Sequence, residues 1–364
     1  MNILNLLKRE FLFFIFLFLL FILSINNPKE IFNFYNYINW STIRALFILL
    51  ILTTAIKLSN FFDLFAIKFL NYFKTEKSLA IFFIIFSAIL SMFLTNDITL
   101  FIIVPITLSI ATIINNDVTK LVIFEAMATN VGSLLTPIGN PQNLYLFREW
   151  DISFLSFIQT MLPIFIIKFL ILLFFVFINF SSNPIKISNI QIKKIDKNLF
   201  IHSIIFFILF IITLDIDMVR FLIPIITIWF FILKKEIFYS VDWFLLTTFI
   251  LMFIDFNMIA KIDFIIHYIN SFNLNFFNVM NLTILSSQIM SNVPATIFIS
   301  KFSTNFEAIA FGANIAGSSL ILASLANIIA IRMLNNSKHY LTFHKYSIPY
   351  FLTSYSIILI YMIF

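Results

Sequence analysis

Apolar stretches recur from residue 11 to the end of the chain, and many approach the ~20 residues that a helix needs to cross a bilayer. No other feature restricts the fold as strongly. Runs of that length recurring along the chain predict an all-α polytopic membrane protein. Charged residues make up only 11% of the 364, against roughly 25% in soluble domains. The longest polar segment, 181–198, is too short to build a second core.

Crossings are expected at about 11–26, 42–59, 118–147, 160–180, 199–214, 219–233, 242–260, 306–333 and 346–363. Residues 11–25 follow Lys8 and Arg9 but lack a small-x-small cleavage site, so they read as a retained first helix. Two further apolar pairs, 78–94 with 98–114 and 276–290 with 297–303, are each interrupted by a polar tip, TND at 95–97 and SNVPAT at 291–296. The last arm is too short to span. Both pairs read as re-entrant hairpins that enter and leave on one side.

The basic residues support this count. With the N-terminus inside, sixteen Lys and Arg fall on cytoplasmic segments. Six (Lys29, Arg44, Arg148, Arg220, Lys261, Lys301) fall outside, and Lys168 lies within a span. That is the positive-inside bias. Making either hairpin a full crossing would invert everything after it. The C-terminus is then expected outside, in a bacterial cytoplasmic membrane.

The chain also repeats itself. ATNVGSLLTPIGNPQN (128–143) matches GANIAGSSLILASLAN (312–327), and in both windows two asparagines stand 13 apart: Asn130 with Asn143, and Asn314 with Asn327. All four glycines fall in or beside these windows. Each window follows a hairpin, and the hairpins open to opposite sides. Two inverted repeats are expected, about 42–180 and 199–364, joined by a basic linker at 181–198 within a single membrane domain. Inverted repeats with broken helices mark secondary transporters.

In the first window Pro137 and Pro141 each lack a backbone donor, and Gly139 permits conformations closed to other residues. Residues 136–142 are therefore expected to unwind inside a crossing. Freed carbonyls can hold a cation, and half-helix N-termini can hold an anion. Thr136, Asn140, Gln142 and Asn143 add neutral donors and acceptors. Thr95, Asn96 and Thr99 do so at the first tip, and Ser291, Asn292 and Thr296 at the second. Asn130, Asn314 and Ser318 complete the expected lining, with Gly139 in the link. The second window lacks proline, so its unwinding is weakly indicated, and small-residue helix packing would also explain Gly317, Ser318 and Ser319.

TNDITLFIIVP (95–105), ATNVGSLLTPIGNPQN and SNVPAT together resemble the ion transporter superfamily. More narrowly they resemble the bacterial citrate-transporter-like permeases, relatives of divalent anion:sodium symporters and of arsenite and sodium/proton transporters. The resemblance covers roughly 40–335. It implies two five-helix repeats with re-entrant hairpins, a homodimer, and elevator-type alternating access. The family's dicarboxylate carriers have Ser-Asn-Thr at both tips. The matching positions here are Thr95-Asn96-Asp97 and Ser291-Asn292-Val293. A carboxylate at Asp97 would repel a dicarboxylate and suits cation coupling better.

Asp97 and Glu125 are the candidate proton or cation carriers, because acids within a membrane are functional by default. Asp97 would alternatively cap the helix at 98–114, and Glu125 would alternatively form a structural pair. Lys168 is read as structural, snorkelling or paired with an acid. Asp255 is read as interfacial. Asp215, Asp217, Arg148, Glu149 and Asp151 are read as solvated loop residues, and Lys186 to Lys197 as a topogenic loop rather than a nucleic-acid patch.

No cofactor is called for, and sodium is the one ion expected to bind beyond the transported species. With no cysteine, no ligand spacing among the four histidines, and neither HExxH nor GxSxG, an intramembrane enzyme is disfavoured. The expected activity is secondary transport of a small ion, by default an anion, coupled to sodium or protons. Cation/proton antiport, arsenite-type efflux and, more remotely, a channel are the alternatives.

Overall fold

A computed structural model of the chain describes residues 10–61, 64, 73–114, 117–184, 194–334 and 339–363. Lys8, Arg9, Lys68, Lys186, Lys193 and Lys338 lie outside the described residues. Within them the fold is all-α, with eighteen helices: α1 Phe11–Asn26, α2 Phe34–Tyr37, α3 Trp40–Leu58, α4 Glu76–Phe93, α5 Asn96–Ile114, α6 Thr119–Ser133, α7 Pro141–Trp150, α8 Phe154–Asn179, α9 Lys197–Asp215, α10 Val219–Lys234, α11 Glu236–Ser240, α12 Trp243–Ile259, α13 Asp263–Asn270, α14 Phe276–Met290, α15 Asn292–Ile299, α16 Phe306–Ala316, α17 Leu325–Met333 and α18 His339–Ile363.

Each of the nine expected crossings corresponds to a helix or a broken pair. Five helices (α3, α4, α8, α9 and α18) are long and apolar enough to span unaided. The crossing expected at 118–147 is α6 plus α7, and that at 306–333 is α16 plus α17. Two spans begin earlier than expected, α8 at Phe154 and α18 at His339, because their first turns carry polar residues that masked the apolar period.

The hairpin tips differ in construction. α4 ends at an extended Leu94 before α5 begins at Asn96. Between α14 and α15 a single residue, Ser291, turns the chain at φ 75° and ψ 157°. Non-glycine residues rarely adopt that region, and holding one there costs roughly 1–3 kcal/mol. Although α4 is long enough to span, its tip does not stop at a surface. The Asn96 amide donates to the Gly139 carbonyl at 3.0 Å, inside the first broken helix.

Both repeats pack the first arm of the hairpin along the first half of the broken helix, α4 on α6 and α14 on α16. Glycine makes each approach possible. A Cβ on Gly132 would lie 1.9 Å from the Ala88 carbonyl oxygen, and one on Gly312 would lie 2.4 Å from that of Met280.

The internal match extends beyond the asparagine windows. Asn130 and Asn314 stand 184 positions apart, as do Asn143 and Asn327. The same displacement carries α6, α7 and α8 onto α16, α17 and α18 to within a few residues.

Candidate functional site

The first break begins where α6 ends at Ser133 and closes where α7 starts at Pro141. Pro141 occupies the first helical position, where its missing donor costs nothing. It therefore starts the second half-helix, whereas the sequence suggested that it opens the link. Asn140 caps α7 by accepting from the Asn143 amide at 2.9 Å. The second break is also unwound. α16 stops at Ala316, a 3-10 turn spans Ile321–Ala323, and extended Ser324 precedes α17.

The two breaks hold each other by a matched set of hydrogen bonds. Asn130 Nδ2 donates to Asn327 Oδ1 at 2.8 Å, and Asn314 Nδ2 to Asn143 Oδ1 at 2.7 Å. Asn140 Nδ2 donates to Asn314 Oδ1 at 3.2 Å, and Ser324 Oγ to Asn130 Oδ1 at 2.9 Å. Under the 184-residue displacement each bond of either pair becomes its partner.

The outer asparagines then serve the backbone. Asn143 Nδ2 donates to the carbonyls of Ser133, Leu134 and Thr136, each at 3.2 Å. Asn327 Nδ2 donates to those of Gly317 and Leu320, at 2.9 and 3.2 Å. Carbonyls at helix ends lack intrahelical partners, and an unmet buried group costs ~1–3 kcal/mol. An asparagine at each break meets that need. These amides thus build the crossing point and leave little capacity for a ligand.

The first tip joins the same centre, since Asn96 Nδ2 reaches Asn130 Oδ1 at 3.4 Å. The second tip approaches through Asn292, whose Nδ2 lies 3.4 Å from the place a Cβ on Gly317 would take. Other expected lining residues are buried but engaged elsewhere. The Thr136 hydroxyl donates to the Met92 carbonyl and that of Thr296 to the Asn292 carbonyl, while Ser291 Oγ reaches Asn292 Oδ1 at 3.5 Å. Gln142 is buried in the first turn of α7. Gly139 contributes its carbonyl to Asn96.

Three expected residues keep buried polar atoms without a protein partner among the described residues: Asp97 Oδ1, Thr99 Oγ1 and Ser318 Oγ. Asp97 stands inside the first turn of α5, one position past Asn96, whose side chain takes the Asp97 amide at 3.0 Å. Asp97 therefore stands within the helix and not at its capping position. Glu125 is fully buried, with Oε1 accepting from the Thr107 hydroxyl and Oε2 unpartnered.

Several sequence readings need correction. Asp255 is not interfacial: it is fully buried on α12, which packs against α15, and both its carboxylate oxygens lack partners among the described residues. Lys168 does not snorkel and meets no acid among the described residues. Its Nζ donates to the carbonyls of Asn314 and Ile315 at 2.8 and 3.1 Å. Arg148 and Asp215 are not free loop residues. The largely buried Arg148 side chain pairs with Asp217 at 3.2 Å, and Asp215 accepts from the Phe154 amide at the start of α8. Glu149 accepts from Asn39.

Ser324 was not singled out by the sequence reading. Its signal was present, because it holds the place in the second window that Asn140 holds in the first. A cavity of about 500 Å³ between α8, α14, α16 and α18 includes none of the central residues.

Two hairpin tips meeting two interlocked broken helices, buried in a membrane-spanning helical bundle, define a membrane permease. Comparison with known proteins agrees. The chain belongs to the citrate transporter family, whose model matches residues 2–306. It is 35% identical over 312 residues to inner membrane protein YbiR of Escherichia coli, covering 85% of this chain and 84% of that protein. It is 38% identical over 303 residues to a protein of Methanocaldococcus jannaschii named uncharacterized transporter MJ0456, covering 82% of each. A shorter match, 36% over 77 residues, is to silicon efflux transporter LSI3 of Oryza sativa subsp. japonica, covering 21% of this chain and 16% of that protein. The family and its transporter-named relatives make this a multi-pass permease and not an enzyme.

Proposed function

We propose that the protein is a secondary active transporter that moves a small ion, by family default an anion, by alternating access coupled to sodium or protons. The observation that carries this reading is the matched interlock of Asn130 with Asn327 and Asn314 with Asn143. It brings four half-helix ends and both hairpin tips to one buried centre, and such ends can hold ions of either sign. The amides serve as its frame. The ion contacts are drawn from Asp97, Thr99 and Ser318, from backbone carbonyls, and from the tip residues Thr95, Asn96, Ser291 and Asn292. Asp97 is the first coupling ligand and Glu125 the second. The working unit is a homodimer.

The buried acids favour one second reading. Asp97, Glu125 and Asp255 all keep unpartnered oxygens, which suits cation/proton antiport or arsenite-type efflux.

Both readings are tested in proteoliposomes with a panel of ions and imposed sodium or proton gradients. Asp97→Asn is expected to fold normally and to lose the gradient-dependent part of transport by at least about tenfold, since a bond to a charged group is worth ~1.5–3 kcal/mol. Unchanged gradient dependence in that variant would remove Asp97 from coupling. Anion flux driven by cation entry supports symport, and cation flux opposed to protons supports antiport.

The lysine asymmetry orients the chain with its N-terminus inside and C-terminus outside a cytoplasmic membrane. A cysteine at 117 is then labelled only from inside and one at 149 only from outside. Labelling of both from one face refutes this topology.

A further inference from the structure

The two breaks match in their asparagines but not in their charge. At the second, the last carbonyls of α16 are those next to the unwound link. Among these, Asn314 O and Ile315 O both accept from Lys168 Nζ, at 2.8 and 3.1 Å. Lys168 is fully buried, and no carboxylate among the described residues pairs with it. Tyr350 flanks it: the ring lies 5.9 Å from Nζ, and the hydroxyl donates to the Lys168 carbonyl at 2.9 Å. A buried ammonium costs several kcal/mol unless its surroundings return that energy. Here the return comes from the negative end of a helix and two carbonyls withdrawn from water. Those same features draw a dissolved cation into a broken helix.

Among the described residues the first break has no such group. The carbonyls matching Asn314 and Ile315 are those of Asn130 and Val131. Asn130 O accepts from Ser133 Oγ at 3.3 Å, and no ammonium among the described residues reaches it. The position matching Lys168 is Leu352 on α18, a residue 54% exposed. At the tips the asymmetry reverses. The first carries Asp97, and the matching residue of the second is Val293. The first tip and break therefore carry an acid and no ammonium, and the second tip and break carry the ammonium of Lys168, reaching over from α8, and no acid at the tip position.

We infer that the Lys168 ammonium is a resident cation at the second break, standing where a monovalent cation would otherwise bind. Cation coupling is then left to the Asp97 half. The inference rests on the proposal that the breaks are ion sites, and its test does not require a known substrate.

The test is thermal unfolding of the purified full-length protein, followed by tryptophan fluorescence. Sodium chloride is replaced stepwise by choline chloride at constant ionic strength. Lys168→Met and Lys168→Gln are each made in the Asp97→Asn background, so that any sodium response of the first half is removed and measured separately in the Asp97→Asn single variant. Both double variants are expected to melt below Asp97→Asn in choline. In sodium they should regain about 5 °C or more along a saturating curve that Asp97→Asn alone does not show. Lys168→Arg, which keeps the charge, is expected to show no added sodium response.

Two results would overturn the inference. One is that both neutral variants lose stability equally in sodium and choline. The other is that neither can be purified in sodium while Lys168→Arg can. Either would make Lys168 a structural hydrogen-bond donor whose place no dissolved cation takes. A persistent sodium response in the Asp97→Asn single variant would instead count against the Asp97 assignment. The difference between single and double variants would still decide the role of Lys168.

Discussion

The first broken helix is opened by its own sequence, and the second by its neighbours. Between α6 and α7 the link contains Pro137 and Gly139, and Pro141 restarts the helix. Between α16 and α17 there is no proline, and side chains from three other helices hold the link open. Gln288 of α14 accepts from Ser319 Oγ at 2.7 Å and from the Leu320 amide at 3.3 Å. Ser347 of α18 donates to the Ser319 carbonyl at 2.6 Å, and His344 takes the Ile321 amide at 3.2 Å. Lys168 of α8 caps the end of α16. The same geometry is thus reached once by local chain chemistry and once by tertiary contacts. The second break is the more open to modulation, because its shape depends on helices that can shift.

The comparison is broken most directly at the outer asparagines. Asn143→Ala loses bonds to three carbonyls and one arm of the interlock. Ser133 keeps Asn140 Nδ2 and Thr136 keeps the Gly139 amide, so the Leu134 carbonyl is the one left unmet among the described residues. Asn327→Ala loses bonds to two carbonyls and the other arm, with Leu320 keeping the Ala323 amide and the Gly317 carbonyl left unmet. With one carbonyl left unmet in each, at ~1–3 kcal/mol, both variants should unfold below wild type, Asn143→Ala slightly further because it loses one more bond. Thermal melts in one detergent decide this. A larger loss for Asn327→Ala would mean that the tethers from Gln288, His344 and Ser347 depend on Asn327, and that the second break is the more fragile.

How much of this was readable follows the same division. The nine crossings, both tips and the first break announce themselves through apolar runs, polar tips and Pro/Gly punctuation, all of which are local signals. Asn130, Asn143, Asn314 and Asn327 were visible as two pairs 13 apart, which pointed to a shared role. That they bond each other across the repeats, and so are frame more than ligand, follows only from the packing. Lys168 and Asp255 were misjudged for one reason. Hydropathy reports that a charge interrupts a span but not which face it occupies, and both face protein. Ser319 looked like ordinary small-residue packing because its partner, Gln288, lies 31 positions away. The short helices α2, α11 and α13 were missed because none has a span-length apolar run.

A finer contrast concerns the acids beside the two hairpins. Asp97 opens the second arm of the first hairpin and keeps one orphan oxygen, next to residues that meet the central asparagines. Asp255 lies on α12 against the second arm of the other hairpin, and has two orphan oxygens and no bond to the centre. If only the first is a coupling ligand, the second is a buried polar group whose removal should help the fold. Asp255→Val, close in size and without polar atoms, is expected to raise stability by about 1–3 kcal/mol, reduced by any strain of packing the branched side chain. Gradient-driven transport should persist in that variant. Higher melting with transport intact would confine coupling to the first half. Loss of transport in Asp255→Val would put an acid into the working set of the second half as well, and Lys168 would then have a functional counter-charge across the membrane interior.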